Sequence, residues 1–181
     1  NSLSAITALP ASISGGGLNL ISTTTASGNS TISITSGLDS TYKEYIFKFI
    51  NMHPQSDGQN FQFNLSTDGG SNYNVTKTDT VFRSFNAEGG GSQGVSYQAS
   101  LDLGASTSFA NLNTGLGNQN DESLSGTLHL FDPSNTTFVK QYMVRTCVNH
   151  DSELAIDFIS GGYANTTSAI NAIQFKMASG N

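Results

Sequence analysis

Three histidines, thirteen acidic side chains and an abundance of hydroxyls are the groups in this chain that could do chemistry. A zinc site gathers imidazoles or thiolates, often at H-x-H or H-x-x-x-H spacing. His53 adjoins Pro54, His129 sits inside an alternating apolar run, and His150 precedes Asp151, so none has that spacing. A Ser–His–Asp nucleophile on a strand–turn–helix elbow would show G-x-S-x-G leading into a helix, and no G-x-S-x-G elbow precedes a helix in this sequence. Glycoside hydrolysis needs two carboxylates held across one bond. Asp57, Asp68, Asp132 and Asp151 fall instead in turn-like stretches, where Asp is favoured for its own hydrogen bonds to the backbone. Calcium is the better metal candidate. Asp57-Gly58-Gln59-Asn60 and Asn118-Gln119-Asn120-Asp121-Glu122 cluster oxygen ligands, although neither matches an EF-hand loop, and solvated turns explain both as simply. Tyr42, Tyr73, Tyr97 and Tyr163 could stack on sugar rings, but the chain has no Trp, and core or interface positions are the expectation for them. No catalytic set and no required cofactor emerge from these residues.

The composition narrows the classes further. Only 11% of the 181 residues are charged, against about 25% in an average soluble protein. Ser, Thr, Asn and Gly carry the polarity instead, a composition common in extracellular and virion proteins. With seven Lys and Arg and a net charge of −6, no basic stripe exists to neutralise phosphates, so nucleic-acid binding is set aside. No apolar run approaches the roughly 20 residues of a membrane-spanning helix. Cys147 is the lone cysteine and is expected as a small buried hydrophobe; the absence of a second one argues against a disulfide-stapled secreted domain and for assembly in a reducing cytoplasm.

These residues must be positioned by strands. Tyr45, Phe47 and Phe49 alternate with Ile46, Lys48 and Ile50, and Phe61, Phe63 and Leu65 with Gln62, Asn64 and Ser66. Period-2 alternation marks half-buried strands. The pair reads as an antiparallel hairpin across the loop HPQSDGQN, followed at Asp68-Gly69-Gly70 by a second tight turn. Further strands are predicted over 18–25, 30–36, 73–78, 80–86, 95–103, 124–131, 136–148, 154–159 and 169–177, with Asp39 capping a short helical turn before Tyr45. Residues 105–117 are the one candidate for a short helix or an irregular crossing, and 87–94 form a Gly-rich surface tip. About ten strands with no convincing helix predict an all-β fold: a single antiparallel β-sandwich, jelly-roll-like, over 18–181, with an extended arm or linker over 1–17. Asn1 in place of Met reads as processing or trimming. The stop at Gly180-Asn181 reads as an unfinished hairpin whose last strand is missing or comes from another chain.

The phrases LDSTYKEYIFKFINMHP (38–54), NLSTDGGSNYNVTKT (64–78), DESLSGTLHLFDPSNTTFVKQY (121–142) and GGYANTTSAINAIQFKMASGN (161–181) join strand and turn residues in a fixed order. In them the chain resembles a group of small β-rich structural proteins of tailed bacteriophages, many of them marine, from about Leu38 to the C-terminus. The resemblance implies a non-enzymatic virion structural protein, assembled in the host cytoplasm and carried on the virion exterior. The first expectation is a capsid decoration protein bound to the major capsid protein or other virion subunits. Its contacts are expected in the arm, at Leu3, Ile6, Leu9, Pro10 and Ile13, apolar residues with no core of their own. The alternatives are a head- or tail-fibre domain, expected as a trimer, that binds a host-surface glycan through loops 54–60, 87–94 and 118–123, and a free carbohydrate-binding module. A homo-oligomer is expected under the virion readings.

Overall fold

The computed structural model describes residues 17–180. Among them ten strands form: β1 (Ile32–Ile34), β2 (Glu44–Met52), β3 (Phe61–Ser66), β4 (Lys77–Ala87), β5 (Gln93–Tyr97), β6 (Ala110–Asn111), β7 (Leu124–Phe131), β8 (Lys140–His150), β9 (Leu154–Ala164) and β10 (Ala172–Met177). They make two antiparallel sheets, one of four strands in the order β1-β10-β3-β6 and one of six in the order β2-β7-β8-β9-β4-β5. The sheets pack face to face as a β-sandwich. No helix forms among the described residues.

Alternation decides which side chains meet in the middle. β8 is the clearest case: Lys140, Tyr142, Val144, Thr146 and Val148 are buried, and every residue between them is exposed. Leu124, Leu128 and Leu130 of β7 lie beside them, as the alternation predicts. From the four-stranded sheet come Phe61, Phe63, Leu65, Ile173, Phe175 and Met177. Aromatic rings join the layers: Phe49 meets Phe61 edge-on at 5.1 Å and Phe175 at 5.3 Å, and Phe63 meets Tyr142 at 5.1 Å. Such pairs each add about 0.5–1.5 kcal/mol beyond the area they bury.

The β2–β3 hairpin is not observed. β2 lies at the edge of the six-stranded sheet and β3 inside the four-stranded one, so HPQSDGQN crosses between layers. The two aromatic faces oppose each other, which strands of one sheet cannot do. The turn after β3 crosses back: Gly69 and Gly70 take φ of 74° and 90°, as required, but the next strand is β4. Residues 73–78 and 80–86 resolve into that single strand from Lys77. Residues 18–25 are extended without ladder bonds, the long strand starts at Lys140 rather than Thr136, and β5 ends at Tyr97. Asp39 caps no helix; its Oδ1 accepts from Thr41 N–H at 2.8 Å in a local turn. Cys147 is exposed, because the inward face of β8 is taken by its neighbours Thr146 and Val148. The arm residues Leu3, Ile6, Leu9, Pro10 and Ile13, and any continuation beyond Gly180, lie outside the described residues.

One long side of the sandwich is closed by residues 98–116. Asp79 N–H donates to Leu103 O at 3.0 Å, Lys77 and Ser106 exchange bonds at 2.8 and 2.9 Å, and Leu112 N–H donates to Phe61 O at 2.8 Å, so the segment passes from β4 to β3. It is the irregular crossing rather than the helix. The opposite side, between β1 and β2, is open. Residues 17–29 follow that edge: Asn19 donates to Tyr42 Oη at 3.0 Å, and Ala26, Gly28 and Asn29 line a cleft with Met52, His53 and Pro54.

Gly126 sits in the inward row of β7, where a Cβ would lie 2.6 Å from Thr146 Cα and overlap the Arg145 carbonyl. Backbone on both strands must then shift. Gly126→Ala is expected to lower stability by about 1–3 kcal/mol, read from the midpoint of urea unfolding. An unchanged midpoint would show that the β7–β8 ladder is looser than described.

Candidate functional site

The strands first place a set of buried charges that the alternation rule alone does not reveal. Lys77, Ala164 and Lys140 form one inward row across β4, β9 and β8, and Asp79, Gly162 and Tyr142 form the next. Lys77 and Lys140 are fully buried. The Lys140 ammonium donates to Thr166 O at 3.1 Å and Ser168 O at 2.7 Å; Lys77 donates to Val75 O at 2.9 Å and to Asn64 Oδ1. Asp79 accepts from Leu103 N–H at 2.7 Å and from the Tyr142 hydroxyl at 2.7 Å. Burial pushes the Lys77 amine down to about 8, against an opposing pull from Asp79. It pushes the Asp79 carboxyl up, although the Tyr142 bond works the other way, and it pushes the Tyr142 phenol up. An acid, an amine and a phenol at close quarters resemble catalytic equipment. Each of their bonds named here runs to the protein's own groups, and at 0%, 5% and 1% exposure they meet no solvent-filled space. The arrangement holds three loops against the sheet end.

The opposite end collects loops. Asn118 N–H donates to Asp57 Oδ1 at 3.1 Å and Asn118 Nδ2 to Gln55 O at 3.2 Å, so the two oxygen-rich stretches expected as calcium candidates touch. Several of their oxygens accept internal bonds: Asn60 Oδ1 from Gly115 N–H at 2.9 Å, Gln59 Oε1 from Ser179 N–H at 3.0 Å, and Glu122 Oε2 from Gln119 N–H at 2.6 Å, while Glu122 Oε1 is buried without a partner among the described residues. Among the described residues no three acidic, imidazole or thiol groups converge as a metal would require. Glu88 N–H bonds Glu153 O at 3.0 Å, which brings the Gly-rich tip to the same end. The Glu88 carboxylate pushes the Glu153 carboxyl up, with Asp121 and Glu122 adding to it. This end is therefore an acidic rim of loops 54–60, 87–92, 115–123 and 150–153. The histidines are scattered: His53 bonds Gln119 O at 3.0 Å, His129 pairs with Glu44 at 2.6 Å, and His150 Nδ1 lies 2.7 Å from Asp151. Desolvation lowers the His150 imidazole despite that carboxylate.

Two apolar surfaces remain, and both could bind. One is the edge segment, where Leu18 is 70% exposed, Leu20 84% and Ile21 51%. The other is the outward face of the six-stranded sheet. Cross-strand register puts Tyr97, Phe82 and Ile159 in one row, with Val95 and Met143 in the flanking rows. Of the tyrosines, Tyr97 and Tyr163 are exposed, while Tyr42 packs edge-on against Tyr45 at 5.9 Å. Sequence reasoning passed over the outward patch, since Phe82 and Val95 are ordinary strand formers whose face depends on a register the chain does not declare. The buried lysines had a visible signal: Lys140 shares a face with Tyr142 and Val144, and a lysine in an apolar row must find acceptors. Comparison with protein-family models, with curated proteins and with solved structures found no match to this chain.

The depressed Lys77 value carries a pH signature. Between about 8 and its ordinary 10.5, the unfolded chain holds a proton that the folded protein has released. Stability then rises with pH, by about 2 kcal/mol from pH 8 to pH 10. Lys140 works in the same direction, and above pH 10 the raised Tyr142 phenol opposes it. The neutral amine still has two N–H groups for Val75 and Asn64. Urea unfolding across this range should show the rise, and Lys77→Met should flatten it. A flat wild-type profile would mean that the ammonium is better solvated than its burial implies.

Proposed function

We propose that this chain is a non-enzymatic bacteriophage virion structural protein that decorates the capsid exterior. The supporting observation is the edge segment. Leu18, Leu20 and Ile21 are left to solvent on an extended stretch that leads directly from the apolar arm residues Leu3, Ile6, Leu9, Pro10 and Ile13. Exposed apolar side chains continued in sequence by apolar arm residues would suit contact across neighbouring capsid subunits. Each contact is weak, and many copies add through multivalency. The low charge content favours such packing, because fewer ions must be desolvated. The resemblance to tailed-phage structural proteins points the same way, as does the sealing of the one acid–amine–phenol set inside the core.

A second reading is supported by the gathering of the loops. Loops 54–60, 87–94 and 118–123 meet at one end of the sandwich, the arrangement a fibre tip needs to touch a host glycan. The rim is acidic, so the ligand would be a neutral or cationic saccharide.

The decoration reading predicts separable effects. Deleting residues 1–16 should abolish co-sedimentation with capsids lacking the protein, and the double substitution Leu18→Ser with Leu20→Ser should reduce occupancy at least several-fold. Both proteins should keep the wild-type melting temperature, since Leu18 and Leu20 are exposed and the deletion leaves all ten described strands in place. Full occupancy by the truncated protein would remove the arm as anchor. Loss of binding on disturbing the loop rim instead would favour the fibre reading.

A further inference from the structure

The edges of the two sheets are guarded unequally. β2 carries Glu44 and Lys48 on its outward face and a bulge at Asn51, where the register slips and φ is 52°. β1 and β6 are only three and two residues long. Charges, bulges and shortness are the ordinary means of keeping an edge from pairing with another chain. β5 has none of them. Gln93-Gly94-Val95-Ser96-Tyr97 contains no charge, no proline and no bulge, and it pairs with β4 residue for residue from Phe82↔Tyr97 to Asn86↔Gln93. Its other side has no strand neighbour among the described residues. Its outward side chains are apolar and open, Val95 at 74% and Tyr97 at 55%, beside Phe82 at 40%.

We propose that β5 pairs antiparallel with β5 of a second copy, about a two-fold axis at Val95, so that two six-stranded sheets continue as one. The inference stands apart from the virion reading. Three features select a second copy as the occupant. An uncharged strand can lie against itself without setting like charges opposite each other, whereas β2 could not. Centring on Val95 sets the two valines face to face and Tyr97 opposite Gln93, which extends the apolar band of Phe82 and Tyr97 across the seam. Antiparallel pairing also sends the acidic rims, with Glu88 and Glu153, to opposite ends of the joint. Two chains of net charge −6 then meet along strands that carry no charge of their own, the carboxylate beside the seam being Asp102, which accepts from the Tyr97 hydroxyl.

The test is the association state of the full chain by sedimentation equilibrium from about 1 μM to about 1 mM. The expected result is a monomer–dimer equilibrium in the wild type. It should weaken at least about tenfold in Val95→Lys, which sets two ammonium groups together on the axis. Gln93→Lys, a fully solvent-facing change on the same strand, should weaken it as well, and guards against misfolding of the first variant. Circular dichroism and melting temperature should stay at wild-type values in both. Amide exchange at Gln93, Val95 and Tyr97, whose N–H groups face away from β4, should slow as wild-type concentration rises. A wild type that is monomeric throughout, a trimer, or a dimer that both variants retain would each overturn the proposal. A dimer lost only on deleting residues 1–16 would overturn it too, and would place the contact in the arm.

Discussion

Burying two lysines at one end of a sandwich constrains the loops that close it. Lys77 and Lys140 lie in a row that elsewhere would hold Val or Leu, and an unpaired ammonium there would cost several kcal/mol. The chain meets this by bringing carbonyls to the amines. Val75 O, Thr166 O and Ser168 O are drawn inward, and the bend after β9 is set by what Lys140 must reach. Asp79 in the next row fixes Leu103 and Tyr142 in the same way, and Leu103 begins the crossing that closes one side. Loops after β3, β9 and β5 thus take their shape from three charged side chains. The specificity has a cost, shown in the directions in which burial pushes all three groups.

The two ends of the molecule are consequently unlike. At the lysine end Lys77, Lys140 and Asp79 are hydrogen-bonded and closed off from solvent. At the other end the loops form an acidic rim, tied to one another and, through Gly117, Ser123 and Asn149, to the end of β8. The two sides are unlike as well. Residues 98–116 stitch one sheet to the other, while residues 17–29 merely follow the gap between β1 and β2. A surface with one stitched side, one open side and a neutral edge strand has distinct places for distinct contacts. This suits a protein that acts by assembly, where directionality comes from which edge is guarded and which is free.

Much of the fold was readable because period-2 alternation is strong in β2, β3, β7, β8 and β10, and the all-β sandwich follows from it. Sheet membership was not readable. Alternation tells which face of β2 or β3 is buried and is silent on whether they pair or oppose, so a plausible hairpin was expected where the chain changes layers. Leu18–Thr25 failed for a related reason: its apolar residues alternate, but the ladder place beside β10 is held by β1, whose Ile34 faces Ile173. Cys147 was expected to be buried on residue type alone; the alternation of β8 turns it outward, because its neighbours Thr146 and Val148 take the buried face. The apolar patch of Phe82, Val95 and Tyr97 depends on the β4–β5 register and on the place of β5 at the edge of its sheet. Neither is written in any short stretch of residues.

The central claim is that the chain works by assembling on a capsid, and imaging tests it most directly. Cryo-electron microscopy of particles whose genome encodes the chain should show sandwich-sized density repeated over the icosahedral lattice, with a thin extension from its open side running onto neighbouring subunits. Density confined to a tail or a single vertex, or a complete absence from purified particles, would contradict the account.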